Sequence, residues 1–363
     1  MKTLQSALTL LSLLCAVPLS FGQRITTIEQ KKRAFEYYAQ TNKAELAICA
    51  GNIALAQKYY GDAFAINPNK PFSIDLLNAF KCAMDMHQLP DADLYLRKLM
   101  SRGFGPQMED NLYRYYKGDD SFFIHRILHQ NSNQLWKLNH EINIQTAEMM
   151  FTDQEIRREE LSSRPDGNYM TDRVYALDLA NARALRKLFD KYEGIPNEDV
   201  IGNHFGGPSF TELIGHHKGA LLGNGPSHYF DTMLLSALIT YDISPAFVAM
   251  MFSKGDSVVT LPWIPVESLL MPLSVFYAHY EDQYCSQYLS PEVEAQINAN
   301  RAKIGLCTLD EMRTKQDYMI AQKKGNIGSK YNFESSLIGY LEAQNAAEYE
   351  QWKQREVYPY QKK

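Results

Sequence analysis

The chain has 363 residues, 45% of them hydrophobic and 22% charged. That balance excludes a disordered, collagen-like or multi-span membrane protein and leaves room for two or three domains with ample core. With 42 acidic residues against 37 basic ones and a formal charge of -5, the clustered positive charge that holds a phosphate backbone is missing, so nucleic-acid binding is disfavoured.

At the start, Met1-Lys2, an apolar stretch from Leu8 to Val17, a break at Pro18 and Ser20-Phe21-Gly22 before Gln23 follow the order of a secretory signal. Cleavage is expected after Gly22. The apolar stretch is about ten residues, against roughly 20 for a membrane span. A lipoprotein reading through Cys15 lacks the small residue that should stand before the cysteine. Export to the periplasm or beyond places Cys49, Cys82, Cys285 and Cys307 in oxidising surroundings. Three pairings are open, and the sequence-local one joins Cys49 to Cys82 and Cys285 to Cys307. Each bridge would contribute about 3 to 4 kcal/mol on the chain-entropy model. Four buried free thiols are the other expectation, since a chain this long needs no staples. There is no C-x-x-C to support redox catalysis or a zinc ribbon.

From Ala44 to Met100 the apolar residues recur at three and four, which predicts helices throughout. Ala56, Tyr60, Ala63 and Pro68 follow a spacing in which small residues let two helices approach, an aromatic ring fills the groove and a proline ends the helix. Ala92, Leu96 and Leu99 repeat part of it, close to a period of about 34 residues. The pattern resembles the second helix of a tetratricopeptide repeat and covers residues 27–103. The family's Trp, Leu and Gly marks are absent from the first helices. The resemblance implies stacked helical hairpins that either form a peptide groove or brace the region that follows.

Next come predicted helices at Asn111–Gln130 and Gln134–Glu160. The clearest helix is Asp172–Tyr192, with Val174, Leu177, Ala180, Ala184, Leu188 and Tyr192 as its apolar stripe, Thr171 or Asp172 at its start, and Gly194 with Pro196 to stop it. The order Asp153-Gln154-x-x-Arg157, Asp178-x-x-Asn181, Gly194-Ile195-Pro196, Ile201-Gly202 and His216 resembles a bacterial helical domain family of unknown function, over residues 146–242. Where that family has histidine in a Q-H-A-D context, this chain reads Gly215-His216-His217-Lys218, a base in place of the acid. The resemblance implies a helical domain and no particular activity.

Asp153 and Arg157 stand four apart, acid first, as an ion pair on one helical face requires. Such a pair is architectural, or it holds Asp153 ionised beside His216 or His217 for acid-base work. Glu212 is one turn before His216, the spacing of a carboxylate that orients an imidazole. The candidate catalytic residues are therefore Asp153, Arg157, Glu212, His216 and His217. His204, His216, His217 and His228 fall close together, but no H-E-x-x-H supports a metal, and no metal or cofactor is expected. His125 and His129 stand one turn apart behind Asp119 and Asp120. The simpler reading is a helix start with Phe122, Phe123, Ile127 and Leu128 as its apolar side. Gly206-Gly207-Pro208-Ser209 lacks the lysine and spacing of a phosphate loop, and no G-x-S-x-G elbow is present.

Toward the end, Met233–Tyr241 and Ala246–Phe252 read as buried helices separated by Pro245. Prolines 262, 265 and 272 argue against a span across 261–280. Ser257–Leu261 is the expected extended piece, and helices are expected at Glu292–Lys303, Leu309–Lys323 and Glu334–Gln351. The 23 tyrosines, among them Tyr37-Tyr38, Tyr59-Tyr60, Tyr113 and Tyr115-Tyr116, either fill grooves between helices or line a sugar-binding face.

The expected fold is mainly all-α, with stacked hairpins in front and a helical C-terminal domain. The expected organisation is a signal at 1–22, tetratricopeptide-like hairpins at 23–103, connecting helices at 104–145, a central helical domain at 146–245 and a helical region at 246–363. The function expected is binding or scaffolding of a protein, a peptide or a carbohydrate. The alternative is a hydrolase-type enzyme built on an Asp/His pair, with or without a metal.

Overall fold

The computed structural model describes residues 28–105, 109–130, 138–163, 171–202, 213–214, 229–253, 276–280, 283–286, 289–322, 329–333, 339–342 and 346–354. The expected leader, the expected extended piece Ser257–Leu261 and the loop Gly206-Gly207-Pro208-Ser209 lie outside them. Within them the chain is mainly α-helical, and no helix is long and apolar enough to cross a membrane.

The front is a row of helices: α1 (28–49), α2 (Ile53–Ile66), α3 (Ser73–Asp85) and α4 (Leu89–Met100). α3 packs along both α2 and α4. Ala56, Tyr60, Ala63, Ala92, Leu96 and Leu99 are all fully buried, so both spaced sets face the interior. Asn52 caps α2 by accepting from the Leu55 amide. The helix ends one residue before Asn67, whose side chain turns the backbone by bonding both the amide and the carbonyl of Lys70. The tyrosines fill this interior. Tyr37, Tyr38, Tyr60 and Tyr116 are buried and Tyr59, Tyr113 and Tyr115 partly so, which corrects the idea of an open sugar-stacking face at these positions.

The expected helix Asn111–Gln130 is two helices, α5 (Glu109–Tyr113) and α6 (Asp119–Gln130), because Gly118 takes φ +61° between them. Phe122 is 67% exposed, so α6 turns Phe123, Ile124, Ile127 and Leu128 inward instead. α7 (His140–Ser163) and α8 (Asp172–Lys191) then pack together. Thr171 caps α8 by accepting from the Val174 amide. Its inward face is Val174, Asp178, Asn181, Ala182, Leu185, Leu188 and Phe189, while Ala180 of the expected stripe is exposed. The face is rotated so that two polar residues point in.

The short α9 (Glu198–Ile201) ties the centre to the hairpins. Arg102, 2% exposed, bonds Asp199 at 2.7 Å, Glu198 at 3.0 Å and the Pro71 carbonyl at 2.6 Å. Glu198 in turn accepts from the Ser73 amide, satisfying an orphan donor at the start of α3. Gly202 ends α9 at φ +90°, ψ +176°, a region open in practice only to glycine. A Cβ there would stand 3.0 Å from the Arg102 carbonyl oxygen.

α10 (Tyr229–Ile239) and α11 (Pro245–Ser253) are the expected buried pair, and α12 (Pro291–Lys303) and α13 (Leu309–Gln322) match the expected helices beyond them. A three-stranded sheet is the departure from an all-helical chain. β1 (Phe276–Tyr280) pairs antiparallel with β2 (Gln283–Ser286) and parallel with β3 (Gly339–Glu342), in the order β2-β1-β3. Among the described residues, the helix expected over Glu334–Gln351 is thus strand at Gly339–Glu342 and helix at α14 (Ala346–Gln354). Gly339 is a poor helix residue and Tyr340 favours strands, so pairing with β1 prevails over a weak helical rhythm.

Cys49, Cys82 and Cys307 are free thiols, which overturns both sequence-local bridges. Cys49 and Cys82 belong to one apolar cluster with Ala44, Ile48, Tyr60 and Phe333, and burial pushes each thiol up to about 12. The largest cluster joins Tyr37 and Tyr38 of α1 to Ile142, Leu185, Phe189, Leu234, Val248 and Ile304, so residues far apart in sequence share one core, beside three smaller clusters among the described residues.

Candidate functional site

Asp153, Arg157 and Asp178 of the central motif meet in one buried cluster. Asp153 lies on the inner face of α7 with no exposure, and Arg157 follows one turn later. Arg157 Nε donates to Asp153 Oδ1 at 2.9 Å, and its Nη2 reaches Asp178 Oδ1 on α8. Gln154 donates to the second oxygen of Asp153 at 3.0 Å. Asn181, one turn beyond Asp178, is 7% exposed. Asp153, Arg157, Asp178 and Asn181 each have further interactions, so the network extends beyond these bonds.

Two carboxylates from different helices share one guanidinium whose side chain is 15% exposed. Removing them from water is costly, and the arrangement holds only because each charge is paired and hydrogen-bonded. It locks α7 against α8. The same geometry fixes the direction of each carboxylate, which is what a catalytic acid-base group would also need.

Of the five candidate residues, Asp153 and Arg157 are brought together. Glu212, His216 and His217 lie outside the described residues, as do His204 and His228. The partner that the spacing did not supply is Asp178. It was visible as the first residue of Asp178-x-x-Asn181, but its pairing with Arg157 depends on how two helices align. A cavity of about 70 Å³ lies elsewhere, beside the buried pair Glu45 and Lys315, with Tyr38, Asp75 and Cys307 in its wall. It has room for a few waters.

A second arrangement escaped the sequence altogether. The segment 329–333, which is neither helix nor strand, lies against α3 and is held by its main chain. Asn78 donates to the Asn332 carbonyl at 2.7 Å and accepts from the Asn332 amide at 3.3 Å, so one side chain satisfies both main-chain groups of one residue. Lys81 donates to the Lys330 carbonyl and Tyr115 to that of Ser329 at 3.1 Å. Asp85 accepts from the Lys330 ammonium and from the Tyr331 hydroxyl, and Tyr331 and Phe333 enter the apolar cluster of α1, α2 and α3.

No protein-family model, no curated protein and no solved structure matches this chain.

Proposed function

We propose that the chain is an exported helical protein that binds or scaffolds a protein or peptide partner, in the periplasm or outside the cell. The observation that supports this is the hold of α3 on segment 329–333. Asn78, Lys81 and Tyr115 bond main-chain groups, which every peptide carries, while Asp85 and the apolar cluster add side-chain selectivity. A helical surface that reads main chain and pockets alternate side chains has the two parts that peptide recognition requires. In this state the surface holds a segment of its own chain. The buried cluster around Arg157 supports the same reading from the other side, as an architectural brace between α7 and α8.

The test uses a labelled synthetic peptide of residues 327–335. Tyr331→Ser with Phe333→Ser should detach the internal segment and leave a helical chain that takes up the peptide, while the unaltered chain should not. Adding Asn78→Ala should abolish uptake. A detached variant that keeps its helical circular-dichroism spectrum yet ignores the peptide would refute the reading.

A further inference from the structure

Away from both arrangements, α5 and α6 converge on three groups that bind metals. α6 sets His125 and His129 one turn apart on a single face, and α5 supplies Glu109 beside them. His125 Nδ1 is 2.8 Å from Glu109 Oε1, and His129 Nε2 is 3.2 Å from Glu109 Oε2. Each imidazole therefore addresses a different oxygen of one carboxylate. The rings lie with centroids 4.1 Å apart, and one ligand atom from each of the three residues falls within 4.8 Å of the others. Tyr113, one turn along α5, donates its hydroxyl to Glu109 and so fixes the carboxylate's orientation. Partners of that kind are characteristic of metal ligands.

The donor set selects the ion. Two imidazoles and one carboxylate suit zinc, copper, nickel or iron, whereas calcium and magnesium take oxygen ligands. At metal-ligand distances near 2.0 to 2.1 Å, two atoms on one tetrahedral ion lie roughly 3.3 Å apart, so the present separations need only small side-chain movements. Access is open, because the two imidazoles are 52% and 46% exposed while the carboxylate is 14% exposed and anchored.

We propose that Glu109, His125 and His129 form a binding site for a divalent transition-metal ion of the zinc class, with its remaining position open to water. Three protein ligands and an open position distinguish such a site from a closed structural one. The site is independent of the peptide reading, since neither set of residues overlaps the other.

Zinc(II) alone, and cobalt(II) as its coloured substitute, are titrated into the full chain after chelator treatment. One ion per chain should bind at micromolar concentration. His125→Ala and His129→Ala should each weaken binding by about tenfold or more, and the double variant should abolish it. Melting in chelator should be unchanged in these variants, because both rings are half exposed. Glu109→Gln, which keeps shape and the Tyr113 contact, should also weaken binding and guards against a folding artefact. Absence of uptake by the unaltered chain, or uptake that the double variant leaves intact, would overturn the proposal.

Discussion

Arg157 serves two buried carboxylates at once, and the consequences of that are measurable. Arg157→Met would leave Asp153 and Asp178 facing each other with a shared cation removed, at a cost of about 3 to 5 kcal/mol. Urea unfolding should show this loss, and adding Asp178→Asn should recover part of it. An Arg157→Met chain as stable as the parent would mean that the cluster carries no load. The pair Asp153 and Arg157 was legible in the sequence because helical spacing alone places them together. Asp178 and Glu109 were not legible as partners. Each depends on the packing of a second helix, and reading residues 111–130 as a single helix hid the turn at Gly118 that lays Glu109 beside the two histidines.

α3 shows what local pattern omits at the level of an element. Its apolar rhythm predicted a helix correctly, but Asp75, Asn78 and Lys81 are buried along with the apolar residues. Their partners lie far away in sequence, in α1 and segment 329–333, so no window of neighbouring residues contains them. Burial, and secondarily the nearby Lys330 ammonium, lowers Lys81 from 10.5 to about 7. Below about pH 7 both folded and unfolded chains carry that proton, and the cost of burying it is present in full. Between about 7 and 10.5 the folded chain sheds it while the unfolded chain keeps it, so stability rises with pH across this window. Lys81→Met should lack that rise. Denaturant titrations of both chains at pH 6 to 10 measure the difference, and parallel curves would contradict the assignment. β3 is the converse case, where a paired neighbour overrode a helical rhythm that Gly339 had already weakened.

For the molecule as a whole, the helical class and most helix positions followed from periodicity, because burial of one face is written locally in the order of residues. The sharing of core was not. The largest cluster takes Tyr37 and Tyr38 from α1 and Ile304 from just beyond α12, and the Tyr38 hydroxyl bonds the Leu238 carbonyl. Glu45 on α1 pairs with Lys315 on α13, and Arg102 joins the hairpins to α9. Calorimetry should therefore give one unfolding transition with equal calorimetric and van't Hoff enthalpies. Two separated transitions would show that the hairpins melt alone.

The bond between Asn78 and Asn332 closes a loop of 254 residues. Synthesis runs from the amino end at roughly 5 to 20 residues per second, so the α3 surface leaves the ribosome roughly 10 to 50 seconds before its cover is made. Throughout that interval a nascent chain presents Asn78, Lys81 and Asp85 among uncovered apolar neighbours. A holdase that shields a growing polypeptide would find its target there.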